Sequence, residues 1–188
     1  MPVVVGGGAA GAEAAARRLV ADGARALLSF GLCGGLDPAL RAGALLVPAV
    51  VLADGVRHEA DRALAARFGG TAPAVLLGEG EIAATAAQKR ALHAATGAAA
   101  IDLESGPVAR VAAAAGLPFA VVRAVCDPAD RDLPPAALVA LDAQGAIGML
   151  AVLRSVLAQP RQVPALIGLA GQAAEARRSL MRAVAAAD

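Results

Sequence analysis

Short apolar segments alternate with longer amphipathic segments along most of this 188-residue chain. The apolar segments are predicted strands, and they cover residues 3–5, 26–30, 44–52, 74–77, 98–103 and 119–126. The predicted helices lie between them and cover residues 9–20, 58–68, 85–95 and 105–115. Most of the strands are continuously apolar, which is typical of a sheet covered by helices on both faces. The alternation therefore predicts an α/β fold in a single domain, with a mostly parallel mixed sheet flanked by helices.

The C-terminal part of the chain, residues 159–188, is a predicted helical extension of the main domain, residues 1–158. Its apolar side chains fall on one stripe of a helix, and its charged side chains lie mostly off that stripe. The stripe predicts a helix that packs on the domain or on a second subunit. Docking on a membrane surface is the alternative.

Composition excludes several classes of function. The net charge is +1, so the chain has no electrostatic bias toward nucleic acid or acidic partners, and 2% aromatic residues leave no stacking platform for single strands. Charges interrupt every long apolar stretch and the N-terminus has no export signal, so we expect a cytoplasmic protein, with peripheral membrane contact as a variant of that expectation. No His/Cys/Asp cluster has metal-ligand spacing, so no metal or cofactor is predicted.

A glycine pattern near the N-terminus raises the question of a dinucleotide site. The stretch VVVGGGAAGAEAAARRL has glycines at positions 6, 8 and 11, in the spacing G-x-G-x-x-G. A dinucleotide site also needs an acidic residue at the end of the second strand, roughly 20 residues on. The second apolar run instead ends at Ser29 and Phe30, and Asp22 lies before it. We therefore expect no nicotinamide or flavin cofactor.

Three stretches follow predicted strands, where doubly wound sheets bind ligands, and we expect them to converge on one crevice. The first, GLCGGL, would let backbone N–H groups approach a ligand, although the glycines would equally suit a steric turn. The second, DLES, places Asp102 and Glu104 two residues apart. If strand geometry persists they point to one side and could hold the two hydroxyls of a ribose. The alternative is an acidic helix start with Pro107 in the first turn.

The third stretch, CDPADRD, begins after the apolar run PFAVVRAVC, in which Arg123 is the only charge. Asp127 follows that run directly, so partial burial would raise the pKa of its carboxyl and suit it to act as a general acid. The alternative is an Asp that initiates a turn before Pro128. Cys33 and Cys126 also follow strands, and we expect both to be buried thiols in a reducing compartment.

The segments SFGLCGGL, GEGEI and AIDLESGPVARVAAAAGLPFAVVRAVCDPAD are together similar to the purine nucleoside phosphorylase and methylthioadenosine/S-adenosylhomocysteine nucleosidase superfamily. The continuation RDLPPAALVALDAQG and the extra C-terminal helix resemble one branch, the hopanoid-associated phosphorylases or adenosylhopane nucleosidases. The resemblance implies a nucleoside phosphorylase-like fold and an enzyme that cleaves the N-glycosidic bond of a purine nucleoside and releases adenine from adenosylhopane. A methylthioadenosine-type nucleosidase, a purine nucleoside phosphorylase and an inactive nucleoside-binding subunit are the alternatives.

The resemblance also implies roles for single residues. Glu104 matches the glutamate that binds the ribose hydroxyls and stabilises an oxocarbenium-like transition state. Asp127 matches the aspartate that protonates N7 of the departing purine. The substrate-binding positions that the resemblance implies are Gly8, Cys33, Gly34, Ile82, Leu103 and Cys126. Members of the superfamily are oligomers in which a neighbour often completes the site, so we expect a homo-oligomer.

The chain departs from the superfamily pattern at three places. The first family strand, with its water-positioning acid or phosphate loop, has no counterpart before Val3. Ser29 and Leu32 stand where phosphorylases commonly place an Arg and a Ser or Thr as phosphate ligands. This favours water as the nucleophile, with phosphate kept as an alternative co-substrate. Glu81 stands where the purine-edge segment usually carries Phe, and Leu103 replaces the usual Met.

Overall fold

The computed structural model describes residues 2–142 and 149–187. Within these ranges the strands are β1 Leu27–Gly35, β2 Leu45–Leu46, β3 Pro48–Ala53, β4 Val56–Glu59, β5 Ala72–Leu77, β6 Ala100–Ile101 and β7 Phe119–Asp127. The helices are α1 Gly8–Ala21, α2 Arg62–Ala66, α3 Ala86–Thr96, α4 Ser105–Ala115, α5 Pro135–Asp142, α6 Met149–Ala158 and α7 Val163–Ala187. The last three residues of the segment RDLPPAALVALDAQG, residues 143–145, lie outside the described residues.

The strands form one sheet in the order β2-β7-β1-β6-β5-β3-β4. The pairs β1/β7, β3/β5 and β5/β6 are parallel, and the pairs β1/β6, β2/β7 and β3/β4 are antiparallel. The predicted α/β fold with a mixed sheet is confirmed. Antiparallel pairing is more extensive than the sequence indicated.

β7 is buried on both faces, as its continuous apolar run predicted. Because successive side chains of a strand point to opposite faces, Val121 and Val125 pack with α1 and α4, whereas Val122 packs with α7. Ala176 and Leu180 of α7 belong to that second cluster. The C-terminal extension therefore packs on the domain, which was the first of its predicted arrangements. Among the described residues, no helix combines the length and the apolar character that a bilayer span requires.

Three local predictions are wrong. Residues 3–5 are not a strand, and Val3 and Val5 are exposed. The helix predicted to begin at 58 is instead β4, because Asp54 and Gly55 have positive φ angles of 51° and 71° and close a β3–β4 hairpin. Helix α2 begins only after Asp61, whose side chain accepts a hydrogen bond from the Leu64 N–H. Residues 31–35 continue β1 rather than forming a loop.

Candidate active site

The ends of β1, β6 and β7 meet at one place. Gly34 of β1 pairs with Asp127 of β7 on one side and with Ile101 of β6 on the other. A Cβ added at Gly34 would lie 3.4 Å from the Ile101 side chain and 3.9 Å from Asp127 Oδ2. Asp102 and Glu104 follow β6 directly. The three stretches that were predicted to converge therefore lie next to one another at the ends of these strands.

Glu104 lies at the N-terminus of α4 and faces the start of α1. Its side chain is 30% exposed, and the carboxyl lies 3.7 Å from Arg123 Nη2. Burial raises the pKa of this carboxyl, and the Arg123 guanidinium opposes the rise. Gly8 has a φ of +63°, a conformation that favours glycine, and its backbone N–H opposes the rise in the pKa of the Glu104 carboxyl.

Asp102 is not the second ribose ligand that strand geometry would make it. β6 ends at Ile101, and the Asp102 side chain, 2% exposed, turns inward to Arg123. Its Oδ2 lies 2.5 Å from Arg123 Nε, and its Oδ1 accepts the Ser105 N–H at 3.0 Å, which caps α4. Strand geometry ends at Ile101, so the two carboxylates do not point to one side, and the structure shows the alternative, an acidic helix start. Of the two, Glu104 is the more exposed carboxyl.

Arg123 is the centre of a buried polar cluster. Its guanidinium donates to Ser29 Oγ at 2.8 Å, to Ser105 Oγ at 3.1 Å and to the Leu32 carbonyl at 3.3 Å. The side chain lies across β1 at Gly31, where any Cβ would overlap Nη1. Among the described residues, every buried side-chain nitrogen and oxygen has a hydrogen-bond partner. The cluster therefore holds a cation beside Glu104 in one fixed position.

Asp127 ends β7 and is almost fully buried. Its Oδ2 lies 2.7 Å from Lys89 Nζ, and the exposed fractions of the two side chains are 10% and 1%. Burial raises the pKa of the Asp127 carboxyl above its ordinary value, the direction expected from the sequence, and the Lys89 ammonium opposes the rise. Asp127 therefore has the desolvated setting that a general acid needs.

Of the remaining candidate residues, Cys33 and Cys126 lie near the ends of β1 and β7 and have buried thiols. Cys33 is buried in the core, and its carbonyl accepts the Cys126 S–H at 3.5 Å, so a ligand could reach Cys33 only through its backbone. Burial raises the pKa of both thiols, that of Cys126 to about 11. Leu103 is half-buried beside Glu104, and Ile82 is half-buried in the segment between β5 and α3. Their contacts with substrate stay predictions.

Sequence reasoning missed Lys89 and the pairing of Arg123. The sequence does mark both residues as unusual. A single Arg inside a nine-residue buried strand must have buried partners, because an unpaired charge there would be costly. Lys89 is the one lysine in the chain and lies on a helix whose polar pattern suggested a solvated face. Which acceptors it reaches depends on contacts between residues 38 to 42 positions apart, which a single sequence does not show.

A family model matches the central part of the chain. Residues 74–158 match the family model described as the Phosphorylase superfamily. No curated protein gives a significant match to the chain.

Solved structures of two nucleosidases and of one hydrolase are similar in fold to this chain. A mutant methylthioadenosine/S-adenosylhomocysteine nucleosidase of Helicobacter pylori, with 5′-methylthioadenosine in its active site, is 18% identical over 94% of this chain and 76% of its own, with a TM-score of 0.63. Futalosine hydrolase of Helicobacter pylori is 20% identical over 81% of this chain and 76% of its own, with a TM-score of 0.60. The S-adenosylhomocysteine nucleosidase of Streptococcus pyogenes, in complex with 5-methylthiotubericidin, is 17% identical over 87% and 75%, with a TM-score of 0.60.

These findings confirm the superfamily resemblance and the nucleoside phosphorylase-like fold, whereas the hopanoid branch stays a prediction. Residues 74–158, which carry Lys89, Glu104, Arg123 and Asp127, thus match the Phosphorylase superfamily model, and the described part of the chain shares its fold with these nucleosidases.

Proposed function

We propose that this protein is an enzyme that cleaves the N-glycosidic bond of a purine nucleoside. The observation that carries the proposal is that two carboxyls, those of Glu104 and Asp127, lie after the neighbouring ends of β6 and β7 in different surroundings. Asp127 is desolvated and held by Lys89, whereas Glu104 is partly exposed beside Arg123. A pair of carboxyls held in different environments is the usual basis for dividing acid and charge-stabilising roles.

Asp127 acts as the general acid. As the C1′–N9 bond breaks, its electron pair moves into the purine, and the Asp127 carboxyl gives its proton to N7, so that neutral adenine leaves. The raised pKa of Asp127 keeps that proton on the carboxyl to higher pH than an exposed aspartate would allow.

Glu104 supports the sugar. A carboxylate accepts hydrogen bonds from the ribose hydroxyls, and its negative charge stabilises the positive charge that develops on the ring. The guanidinium of Arg123, 3.7 Å away, and the backbone N–H of Gly8 both lower the pKa of this carboxyl and so favour its charged form.

Water is the nucleophile that the charges favour. Arg123 already faces Asp102 at 2.5 Å and Glu104 at 3.7 Å, so its charge is balanced before any ligand enters. A phosphate dianion placed here would be repelled by the Glu104 carboxylate. Among the ion pairs of the described residues, Lys89 and Arg123 are already paired with carboxylates and would not offset that repulsion. We therefore propose hydrolysis over phosphorolysis, in a cytoplasmic homo-oligomer.

The finer substrate assignment is adenosylhopane, supported by the resemblance of residues 131–145 and of the C-terminal helix to the hopanoid-associated branch. Methylthioadenosine-type nucleosides are the alternative substrates. The exposed apolar side chains of α7, Ile167, Met181 and Val184, are compatible with peripheral contact between the extension and a membrane.

The test is release of free adenine, measured by chromatography after incubation with adenosine, methylthioadenosine and adenosylhopane, each with and without phosphate. We expect release that does not depend on phosphate. Release only with phosphate would refute hydrolysis, and calorimetric binding of adenine without release from any substrate would favour an inactive binding subunit.

The matched variants are Asp127→Asn and Asp130→Asn. We expect Asp127→Asn to lower turnover by about 100-fold or more, the usual scale for loss of a general acid. Asp130 is three residues further along, exposed, and paired at 3.5 Å with Arg41, so Asp130→Asn should retain turnover close to that of the wild type. Wild-type turnover in Asp127→Asn would remove Asp127 from the mechanism.

A further inference from the structure

Lys89 is an unusual residue in this chain. It is the one lysine in the sequence, and every other Lys or Arg position is an arginine. It lies on α3, and its relative accessibility is 0%. A fully buried lysine is rare unless it is paired, so its surroundings must supply acceptors for the whole ammonium group.

The structure supplies one acceptor for each ammonium proton. Lys89 Nζ lies 2.7 Å from Asp127 Oδ2, and it donates to the Pro128 carbonyl at 3.0 Å and to the Arg131 carbonyl at 2.8 Å. A lysine ammonium has three N–H donors and no acceptor, so this set satisfies it completely. A planar guanidinium on a longer side chain would not fit these three oxygens in the same way.

The contacts join the proposed acid to the loop that follows it. Two carbonyls of that loop and one oxygen of Asp127 share a single cation. The same loop is tied to the start of α3 by the Ala86 N–H, which donates to Asp132 Oδ1 at 2.7 Å, and by the Leu133 N–H, which donates to the Ala84 carbonyl at 2.8 Å. Asp127 is therefore held at one oxygen from outside its own strand.

We infer that Lys89 is the positioning residue of Asp127: it occupies Oδ2, so that the acid proton is carried on Oδ1 and directed at the purine. This inference rests on the proposed role of Asp127 as the general acid. A proton on Oδ2 would point at an ammonium that has no acceptor, so Lys89 selects between the two oxygens. Lys89 does not itself contact the substrate.

Lys89 also opposes the effect of burial on Asp127. The titratable groups that face the Asp127 carboxyl are Lys89 from α3, Asp130 and Cys126 from its own segment, and Cys33 from β1. Of these, Lys89 is the cation that lowers the pKa of Asp127, whereas burial and Asp130 raise it. Removal of the ammonium therefore leaves only the contributions that raise the pKa.

The first experiment follows the single lysine by NMR, on protein labelled with carbon-13 lysine. The ε-carbon signal of Lys89 should show a titration step in the wild type that reports ionisation of Asp127. The near-isosteric Asp127→Asn variant should lack that step. A signal that titrates identically in both proteins, or in neither, would overturn the inference. This experiment needs no turnover and no substitution of Lys89.

The second experiment compares Lys89→Met with Thr85→Ala across the pH range. In Lys89→Met the alkaline limb of kcat/KM should move to higher pH by about one to three units, the range for the loss of one close opposite charge. Its kcat should fall by about 10-fold or more, with a smaller change in KM, because the acid is no longer aligned. Thr85 caps α3 through the Gln88 N–H, so Thr85→Ala loosens the same helix without touching Asp127, and its pH limb should not move.

The outcomes separate this inference from the proposed function. A uniform loss of activity in Lys89→Met, with the pH limb unmoved, would reduce Lys89 to a structural role and overturn the inference while nucleoside cleavage stands. A titration step lost in Asp127→Asn, in a protein that releases no adenine, would refute the proposed function and support only the coupling of Lys89 to Asp127.

Discussion

The substitution Arg123→Met tests whether the buried cluster beside Glu104 is a unit. It removes a side chain that is 5% exposed and leaves Asp102, 2% exposed, without the cation 2.5 Å away. Loss of one partner of a buried ion pair costs about 3–5 kcal/mol, because the remaining charge stays desolvated. In a chain of this length that cost lowers the Tm by about 6–20 °C.

The matched control is Arg17→Met. Arg17 lies 2.7 Å from Glu13, nearly the same separation, but the two side chains are 69% and 37% exposed. An exposed pair four residues apart on a helix contributes about 0.3–0.5 kcal/mol, so Arg17→Met should hardly change the free energy of unfolding. Because the two ion pairs have similar N–O distances, the difference between the variants reports the effect of burial on the free energy of unfolding.

The assay is urea unfolding followed by far-ultraviolet circular dichroism, because the chain has 0 Trp and 0 Tyr residues to report by fluorescence. The double variant Asp102→Asn/Arg123→Met should be more stable than the sum of the two single costs predicts, by about 0.5–3 kcal/mol. An Arg123→Met protein whose unfolding free energy lies within about 1 kcal/mol of the wild-type value would refute the reasoning.

The remaining predictions concern Gly31 and the two thiols. Gly31→Ala should destabilise the protein by about 1–3 kcal/mol in the same urea assay, because its Cβ overlaps the pinned guanidinium, whereas Gly171→Ala, in α7 with open space around it, should stabilise it slightly. A neutral Gly31→Ala would show that Arg123 moves freely. Burial raises the pKa of the Cys33 thiol and brings that of Cys126 to about 11, so iodoacetamide at pH 8 should alkylate both slowly in the folded protein and rapidly in urea. Rapid labelling of the native protein would contradict the burial of both.

The fold was predictable where the hydrophobic pattern was unambiguous. The nine-residue β7 and the helix α4 both follow from the sequence almost to the residue, since each combines a long apolar pattern with clear ends. The β3–β4 hairpin was missed, although Asp54 and Gly55 are a strong turn signal, because the polar residues after it also fit a helix. At residues 3–5 the error was the reverse: a strand was predicted from three consecutive valines, and the structure has none there.

Candidate site residues could be predicted where a carboxylate follows a strand. They could not be predicted where a side chain's position depends on a partner that is distant in the sequence. Glu104 and Asp127 are candidates because each carboxylate follows an apolar strand, and the resemblance to the superfamily selects them over a helix start and a turn. The inward turn of Asp102 could not be predicted, since it depends on Arg123, 21 positions later, and on the exact residue at which β6 ends. Sequence spacing cannot decide which of two neighbouring carboxylates a buried cation will take.

Two residues of β1 differ from the phosphorylase pattern, and both contact Arg123. Ser29 and Leu32 stand where phosphorylases commonly place their phosphate ligands, and in this structure both receive hydrogen bonds from Arg123. The guanidinium reaches them from β7 across Gly31, so the strand carries a glycine where the side chain must pass. Since Asp102 and Glu104 balance the charge of this guanidinium, the arrangement places a hydrogen-bonded cation beside the Glu104 carboxyl without offering net positive charge to a dianion. Ser29 and Leu32 of β1 and the single arginine of β7 therefore form one hydrogen-bonded unit, and this unit supports our proposal that water is the attacking group.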